Sequence, residues 1–541
     1  MRKSNRRRRC QAALAVMIVV GLVPATAGAV TPRLTSEAPA SDGTLSKAAA
    51  AAMERGYLVP DQAAYDAAKA RANAQSGKAA GAAADAAPGL LAPVLIRGWE
   101  GIFDAGSAPS DSTSSVGSTR YMETINRKYA IYNKTTNAPI NTGTLNQLAG
   151  AAGNAFDPQI MWDAQTNRFY YAMDLVVSAT DNRLAIGFSK TASPNTSADF
   201  CHYFVTFGST LPDYPKLGDT ANFWAMGSNL FNSVGSFTGS HVFALTKPPA
   251  GTACPAISTF KTGFKSPLND PNGGPAFTPV VVNQIDPSTT GYIVARTGAL
   301  PSTRFSLHRI TPNATGFPVI ESPGLPVVVP SYTVPPDAQQ RAGFPNSAKL
   351  LDTLDSRPTQ AVSAIDPARG PTAVGLWVQH TTATNPASTR SEVRWYEINP
   401  VTRTLFQSGK ATNAAYSAFN GAISPDRRRN GSNVGFGNSM VLGFSTSGTT
   451  TFPAIRHLSK VGAGLQSAHV LVKQSPGNYS GFDCAGADNS CRWGDYAGAS
   501  PDPVLATGAT RGRVWSVNQY ASGANSTTAA NWRTWNWAAT P

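Results

Sequence analysis

The sequence predicts an all-β protein of the β-propeller type, with seven blades favoured and six as the alternative. From about residue 93 onward, short runs rich in Val, Ile, Phe, Tyr and Trp alternate with Gly, Pro, Asn and Asp. No amphipathic helix interrupts this pattern over several hundred residues, so the region is predicted to consist of short strands and turns. Strands that end in a turn aspartate also recur at intervals of 56 to 80 residues. Repetition at this period is typical of propeller blades.

The repeated unit begins with a short strand whose last residue is an aspartate. These aspartates are Asp163, Asp219, Asp286, Asp366, Asp426 and Asp502. A more aromatic strand follows the turn, as in Arg168–Met173, and often a third, as in Glu392–Ile398; Asp111–Ile131 fits as an earlier unit. One four-stranded sheet cannot bury both of its faces, so the units are predicted to stack in a ring. A sandwich would need far fewer strands, and a β-helix a much shorter period.

The first 29 residues have the pattern of a signal peptide. Basic residues at positions 2–9 precede a short apolar run, Cys10–Val23, and Ala27-Gly28-Ala29 supplies small residues for cleavage. The run is too short to span a bilayer comfortably, and no later segment approaches that length. We therefore expect a secreted protein, extracellular or associated with the cell wall. We also expect a monomer that does not insert into the membrane.

Residues 30–88 differ in composition from the rest of the chain. Two alanine-rich, helix-prone stretches, 44–56 and 60–73, precede a Gly/Ala linker at 76–88. The second stretch places Tyr65, Lys69 and Ala72 on one face. This pattern predicts a helical segment that docks on the main domain or acts as a pro-segment. The main propeller domain is assigned to residues 89–541.

The charge of the chain argues against nucleic acid as a partner. The whole chain carries a net charge of +14, but the signal peptide holds six Arg and Lys residues and no acid, which leaves +8. Only Arg427–Arg429 form a basic cluster, and they lie in a turn, whereas a nucleic-acid binder concentrates its cations on one face. The mild basicity suits acidic polymers outside the cell.

Four cysteines remain after cleavage: Cys201, Cys254, Cys484 and Cys491. An even number in an exported chain favours disulfides. Of the three pairings, we favour Cys484 with Cys491, which closes a short loop, and Cys201 with Cys254, which ties consecutive repeats. No histidine lies at ligand spacing from either pair, so we expect no metal site at the cysteines.

Four sequence phrases resemble the secreted bacterial propellers loosely related to the sialidase-like (BNR-type) superfamily. They are DSTSSVGSTRYMETINRKYAIY, FDPQIMWDAQTNRFYYAM, DYPKLGDTANFWAM and RWGDYAGASPDP. The resemblance covers roughly residues 93–541 and implies a propeller, an exported location and a connection to carbohydrates. The Asp-box of true sialidases (Ser-x-Asp-x-Gly-x-Thr-Trp) is missing from every repeat, and no arginine triad can be assigned. The resemblance therefore carries over no catalytic residue.

Several inner strands begin near an acidic residue: Asp157, Asp213 and Asp495, with Asp111 in the equivalent position of the first unit. Inner strands of a propeller line its central channel, so these side chains are predicted to meet at one channel mouth. Three interpretations stay open. The carboxylates could stabilise turns, hold Ca²⁺, or act as acid and base in glycoside hydrolysis, with Asp157, Asp213 and Asp495 as the catalytic candidates. We expect no cofactor, with Ca²⁺ as the alternative.

Basic and aromatic residues accompany these acids in the same strands. They are Lys216, Arg357 and Arg492, with Tyr214, Trp493 and Tyr496. Cations suit carboxylate groups of a ligand and rings suit sugar faces, although internal salt bridges to the aspartates would explain the cations equally well. Together with Asp111, these residues form the predicted binding site. The predicted function is binding of an extracellular polysaccharide or protein at the channel mouth, with a carbohydrate-active enzyme (a sialidase-like glycoside hydrolase or a polysaccharide lyase) as the alternative.

Overall fold

A computed structural model describes residues 31–39, 43–55, 57–76, 92–385, 387, 389–429, 435–485, 490–506 and 511–541. The predicted signal peptide and nearly all of the predicted linker lie outside these residues. The described chain forms seven sheets of four or five strands, and most strands of each sheet are close together in sequence. These sheets are the blades of a β-propeller, so the fold prediction is confirmed with seven blades rather than six. None of the described helices combines the length and apolar character needed to cross a membrane.

The first four blades follow one another along the chain. Blade 1 comprises Thr113–Val116, Arg120–Ile125, Lys128–Asn133 and Pro139–Thr144. Blade 2 comprises Asn154–Asp163, Arg168–Ser178, Asp181–Ser189 and Phe200–Gly208, with Arg33–Thr35 added at its outer edge. Blade 3 comprises Leu211–Asp219, Phe223–Phe231, Phe237–Thr246 and Thr262–Lys265. Blade 4 comprises Ala276–Val281, Gly291–Thr297 and Ser302–Pro312, the last of which pairs with both Pro318–Ile320 and Leu325–Tyr332.

The remaining blades complete the ring. Blade 5 comprises Pro358–Ile365, Val374–Ala383, Ser391–Asn399 and Thr404–Ala411, with Asn283–Gln284 parallel to its first strand. Blade 6 comprises Ser417–Pro425, Met440–Gly448, Thr451–Lys460 and Val470–Gln474. Blade 7 comprises Gly498–Pro501, Val514–Ala521, Trp532–Thr540 and Val94–Glu100. Two short ladders pair Leu350–Leu351 with Ser490–Cys491 and Arg428–Arg429 with Gly435–Phe436.

Three α-helices and three short 3₁₀ turns accompany the strands. The α-helices are α1 (Lys47–Arg55), α2 (Gln62–Gln75) and α3 (Leu145–Ala149), and the 3₁₀ turns are Ser197–Asp199, Ile257–Thr259 and Phe482–Ala485. Helices α1 and α2 lie in the two stretches that the sequence predicts to be helical. Asp61 caps α2, because its side chain accepts a hydrogen bond from the amide of Ala64.

The ring is closed by strands from the two ends of the propeller region. Val94–Glu100 forms the outer strand of blade 7 and pairs antiparallel with Trp532–Thr540. Within this last strand, the side chains of Trp532 and Trp537 are fully buried. These two tryptophans therefore pack into the closing blade and are not exposed on its surface.

The recurrent turn aspartates link neighbouring blades at the far ends of the inner strands. Lys247, which follows the third strand of blade 3, donates to Asp163 of blade 2 and to Asp219 of blade 3, at 2.8 Å in each case. Asp502 of blade 7 forms a 2.7 Å ion pair with Lys134 of blade 1. Each of these groups is largely buried, so the repeated aspartate has a structural role in joining blades.

Two disulfides complete the fold. Cys201 is bonded to Cys254, which joins blade 2 to a loop of blade 3, and Cys484 is bonded to Cys491. This is the pairing that the sequence favours. Both bonds are compatible with an extracellular protein.

Replacing Lys247 by Met is expected to lower the free energy of unfolding at pH 7 by about 3–5 kcal/mol, because two buried carboxylates lose their shared ammonium group. Chemical denaturation of the wild type and the variant measures this difference. Lys261→Met serves as the control, because the side chain of Lys261 is exposed and makes no salt bridge within the described chain. An equal loss of unfolding free energy in Lys247→Met and Lys261→Met would contradict the role of Lys247 in joining blades 2 and 3.

Candidate functional site at the channel mouth

A bulge near the start of the inner strand is shared by several blades. In four of them it contains a residue other than glycine in the left-handed region: Asp157 (φ 51°), Tyr214 (φ 62°), Thr278 (φ 54°) and Asn420 (φ 50°). Each such residue costs on the order of 1 kcal/mol or more. Side chains from neighbouring strands support the bulges, as where Asn126 Oδ1 accepts the amide of Asp157 at 2.9 Å. Because bulges redirect side chains, this repeated irregularity determines which groups meet at the channel.

Three carboxylates meet at the junction of blades 2 and 3. One oxygen each from Asp157, Asp174 and Asp213 lies within 4.8 Å of the others, and all three side chains are fully buried. Both carboxylate oxygens of Asp157 and of Asp174 lack a hydrogen-bond partner, as does Oδ1 of Asp213. Burial raises the pKa of Asp213 to about 7. Burial and the neighbouring carboxylates raise the pKa of Asp157 well above its ordinary value.

Lys216 lies beside this cluster, enclosed by two tyrosine rings. Its Nζ is 3.5 Å from the ring centroid of Tyr496 and 4.1 Å from that of Tyr214, and it makes no hydrogen bond. Burial lowers the pKa of Lys216 to about 7, against the opposing effect of carboxylates that include Asp157. The hydroxyl of Tyr214 donates to the main-chain carbonyl of Asp495 at 2.9 Å. The lysine is therefore held by cation–π contacts rather than by an ion pair.

The two predicted arginines are engaged by acids of the same protein. Arg357 Nε donates to Asp355 Oδ1 at 2.7 Å, and Arg492 pairs with both Asp352 and Asp495. These internal salt bridges correspond to the alternative that the sequence leaves open for the cations. With their charges neutralised inside the protein, the two guanidiniums have little capacity for an external anion.

Asp111 and Trp493 both make contacts inside the protein. Asp111 accepts the main-chain amide of Asp495 at 2.6 Å and Nδ2 of Asn126 at 2.5 Å, so it connects blade 1 with blade 7. Trp493 packs against Phe419 and Tyr479 in an apolar core, and its Nε1 donates to Ser445. The expectation that Trp493 offers its ring to a sugar is therefore wrong, because the ring is buried.

The N-terminal segment covers the channel mouth. The amide of Leu58 donates to Asp213 Oδ2 at 3.2 Å, and its carbonyl accepts Arg357 Nη2 at 3.0 Å. Tyr57 donates to Asp352 at 3.2 Å, and Lys69 of α2 forms a 2.6 Å ion pair with Asp337. We call residues 44–76 the cover. The chain itself thus occupies the face on which we expected a polysaccharide to contact Asp111, Tyr214, Lys216, Arg357, Arg492 and Tyr496.

An open cavity of about 470 Å³ remains beside the cover. It lies between α1 and blades 1 and 2, and Asp157 lines it together with Asn126, Arg127, Asn146, Asn154 and Phe482. Of the three catalytic candidates, only Asp157 belongs to the residues around this cavity, and its carboxylate oxygens are buried rather than exposed to it. The acid cluster therefore lies beside the cavity and is closed to solvent.

Several residues of this region do not lie at the start of an inner strand, so the sequence pattern did not identify them. Asp174 lies in the second strand of blade 2, opposite Phe156, and interrupts the otherwise apolar run Phe169–Val177. A lone carboxylate in such a run was a usable signal. Asp352 and Asp355 precede the inner strand of blade 5. The cover residues Tyr57 and Leu58 carry no sequence signal, because their role depends on where the segment docks.

No protein-family model matches the chain, and no curated protein does. Several solved structures are similar to part of the chain. An apocarotenoid oxygenase mutant from Synechocystis has 9% identity over 67% of this chain and 71% of its own, with a TM-score of 0.36. An endo-1,5-α-L-arabinanase from Thermotoga petrophila has 11% identity over 81% and 99%, with a TM-score of 0.29. A thermostable family-43 glycoside hydrolase has 13% identity over 53% and 89%, with a TM-score of 0.28.

These similarities carry no functional argument, because identity and TM-score are both low. The relation to sialidase-like propellers is not shown by them and stays a prediction.

Replacing Lys69 by Ala is expected to loosen the cover, because removing the ammonium group deprives the buried carboxylate of Asp337 of its ion pair. Hydrogen–deuterium exchange should increase across α2, while the inner strands of the blades stay protected. Lys47→Ala is the matched control, because Lys47 is exposed in α1. Unchanged exchange in α2 of the Lys69 variant would show that the cover is held by other contacts.

The Asp355–Arg357 pair should stabilise the fold in a pH-dependent way. Although burial opposes it, the guanidiniums of Arg357 and Arg296 hold the pKa of Asp355 at about 2. A lowered folded-state pKa means that this stability is present above about pH 4 and lost as the pH falls toward 2. The difference in unfolding free energy between the wild type and Asp355→Asn should narrow by about 2 kcal/mol over that range. A constant difference in urea titrations at each pH would contradict this.

Proposed function

We propose that the protein binds an extracellular polysaccharide, with one sugar unit in the cavity between α1 and blades 1 and 2. The observation that supports this most directly is the open cavity of about 470 Å³ at the channel mouth. This volume lies in the range of small-molecule binding sites, which are usually pre-formed and concave. The cavity is bounded by rigid strands and by a docked helix, so a ligand would meet a largely ordered surface.

The lining suits a sugar better than an apolar ligand. Phe482 exposes 37% of its surface, and its ring offers an apolar face against which a pyranose can stack. Arg127 is exposed at the same cavity, and the partly exposed side-chain amides of Asn146 and Asn154 supply acceptors. A cation, an acceptor and an aromatic face together match hydroxyl and carboxylate groups on a carbohydrate. A protein ligand would require a broader apolar surface than this cavity provides.

Hydrolysis is the less well supported alternative. Paired carboxylates of glycosidases stand about 5–5.5 Å or about 6.5–9.5 Å apart, on either side of the bond that is cleaved. Here Asp157 and Asp213 approach within 4.8 Å, and Asp213 is bonded to the amide of Leu58. Asp495 is paired with Arg492. The carboxylates of all three candidates are buried away from the cavity, which favours binding over acid–base catalysis.

Replacing Phe482 by Ala is expected to weaken binding to the polysaccharide by about fivefold, because loss of a stacking ring costs on the order of 1 kcal/mol. A glycan array of the secreted protein identifies the ligand, and calorimetry gives the affinities. Phe317→Ala is the matched control, since Phe317 is a comparably exposed ring (43%) in a loop of blade 4.

Equal affinity in both phenylalanine variants would contradict binding in this cavity. The same glycans are also incubated with the wild type and analysed for new reducing ends. If the wild type forms new reducing ends and Asp157→Asn does not, the protein is a hydrolase rather than a binding protein.

A further inference from the structure

The carboxylates of Asp157, Asp174 and Asp213 have no counter-charge in contact with them. None of the three forms a salt bridge within the described part of the chain, although the acids around them do so: Asp352 and Asp495 with Arg492, and Asp355 with Arg357. Three carboxylates within 4.8 Å of one another, fully buried and without an ion pair, are strongly unfavourable when ionised. The site therefore needs either protons or a cation.

Lys216 does not serve as that cation through direct contact. Its Nζ lies beyond ion-pair distance of all three carboxylates and packs on the ring faces of Tyr214 and Tyr496. The hydroxyl of Tyr496 is also buried without a partner, and the carboxylate of Asp157 adds to the effect of burial in raising the pKa of this phenol. Beside the carboxylates there is thus one further buried oxygen without a partner, the hydroxyl of Tyr496, which interacts electrostatically with Asp157.

The arrangement of oxygens suits a hard cation. Ca²⁺ binds oxygen ligands at about 2.3–2.6 Å, so oxygens on opposite sides of one ion can stand about 5 Å apart. The three carboxylates, within 4.8 Å of one another, satisfy this condition. No histidine or cysteine belongs to the group, which disfavours zinc and copper relative to cations that prefer oxygen.

The backbone fixes the three groups. Asp157 is held by its bulge and by Asn126, Asp174 lies inside a strand, and Asp213 is held by the amide of Leu58. Ligands placed on strands of two adjacent blades are well ordered, which lowers the cost of binding an ion. Asp157 lies next to the open cavity, and its carboxylate oxygens are buried beneath the cavity wall.

We propose that Asp157, Asp174 and Asp213 form a binding site for one Ca²⁺ ion. The ion joins blade 2 to blade 3 at the channel mouth. This inference is independent of polysaccharide binding, because it is tested with Ca²⁺ alone.

The test uses the full secreted protein after treatment with a chelator. Equilibrium dialysis followed by metal analysis should give one Ca²⁺ per chain, and the melting temperature should rise with Ca²⁺ concentration. In Asp157→Asn the affinity for Ca²⁺ should fall at least tenfold. In the chelator, however, this variant should melt no lower than the wild type, because one unpaired buried carboxylate has been removed. Asp174→Asn should behave in the same way.

Asp270→Asn is the matched control, since Asp270 is a buried aspartate in the loop between blades 3 and 4 and does not belong to the group of three carboxylates. It should retain the full response to Ca²⁺. Binding of less than a tenth of an equivalent by the wild type would overturn the proposal. So would equal responses of the Asp157 and Asp270 variants, or retention of Mg²⁺ in preference to Ca²⁺. A melting temperature of Asp157→Asn in the chelator well below that of the wild type would assign the triad a purely structural role.

Discussion

Seven strands arranged around one axis must bring their first residues together at one end of the ring. In this protein that geometry gathers Asp111, Asp157, Asp213 and Asp495 into a region closed to bulk solvent. The energetic problem of the fold is therefore the neutralisation of acids at its centre. Arg357 and Arg492 neutralise some of them, and main-chain amides and bulges orient others. The cover satisfies further polar groups, because the backbone of Leu58 bonds to Asp213 and to Arg357.

The cover contributes its backbone as much as its side chains. Leu58 offers its amide to a carboxylate and its carbonyl to a guanidinium, which a blade strand in this place could not do without leaving its own sheet. The alanines of α1 allow close approach, since Ala48, Ala49 and Ala52 are fully buried against the propeller. A bulkier helix would stand further from the mouth and would also fill the adjoining cavity.

The sequence was sufficient to predict the ring, because a repeated strand–turn–strand unit has few ways to bury both faces of its sheets. It also located Asp157 and Asp213, since the start of an inner strand has a fixed place in that architecture. Asp174 escaped notice because its proximity to them depends on the register between two strands of blade 2. The burial of Arg357 and Tyr214 could not be predicted, because a segment more than 150 residues away in sequence covers them.

Closure of the ring by Val94–Glu100 has a consequence for how the protein folds. This strand hydrogen-bonds with Trp532–Thr540, more than 430 residues later in the sequence. Until these two segments pair, blade 7 lacks its outer strand. The ring therefore closes through contacts of very high sequence separation, and such contacts are slow to form because a long loop must be closed first.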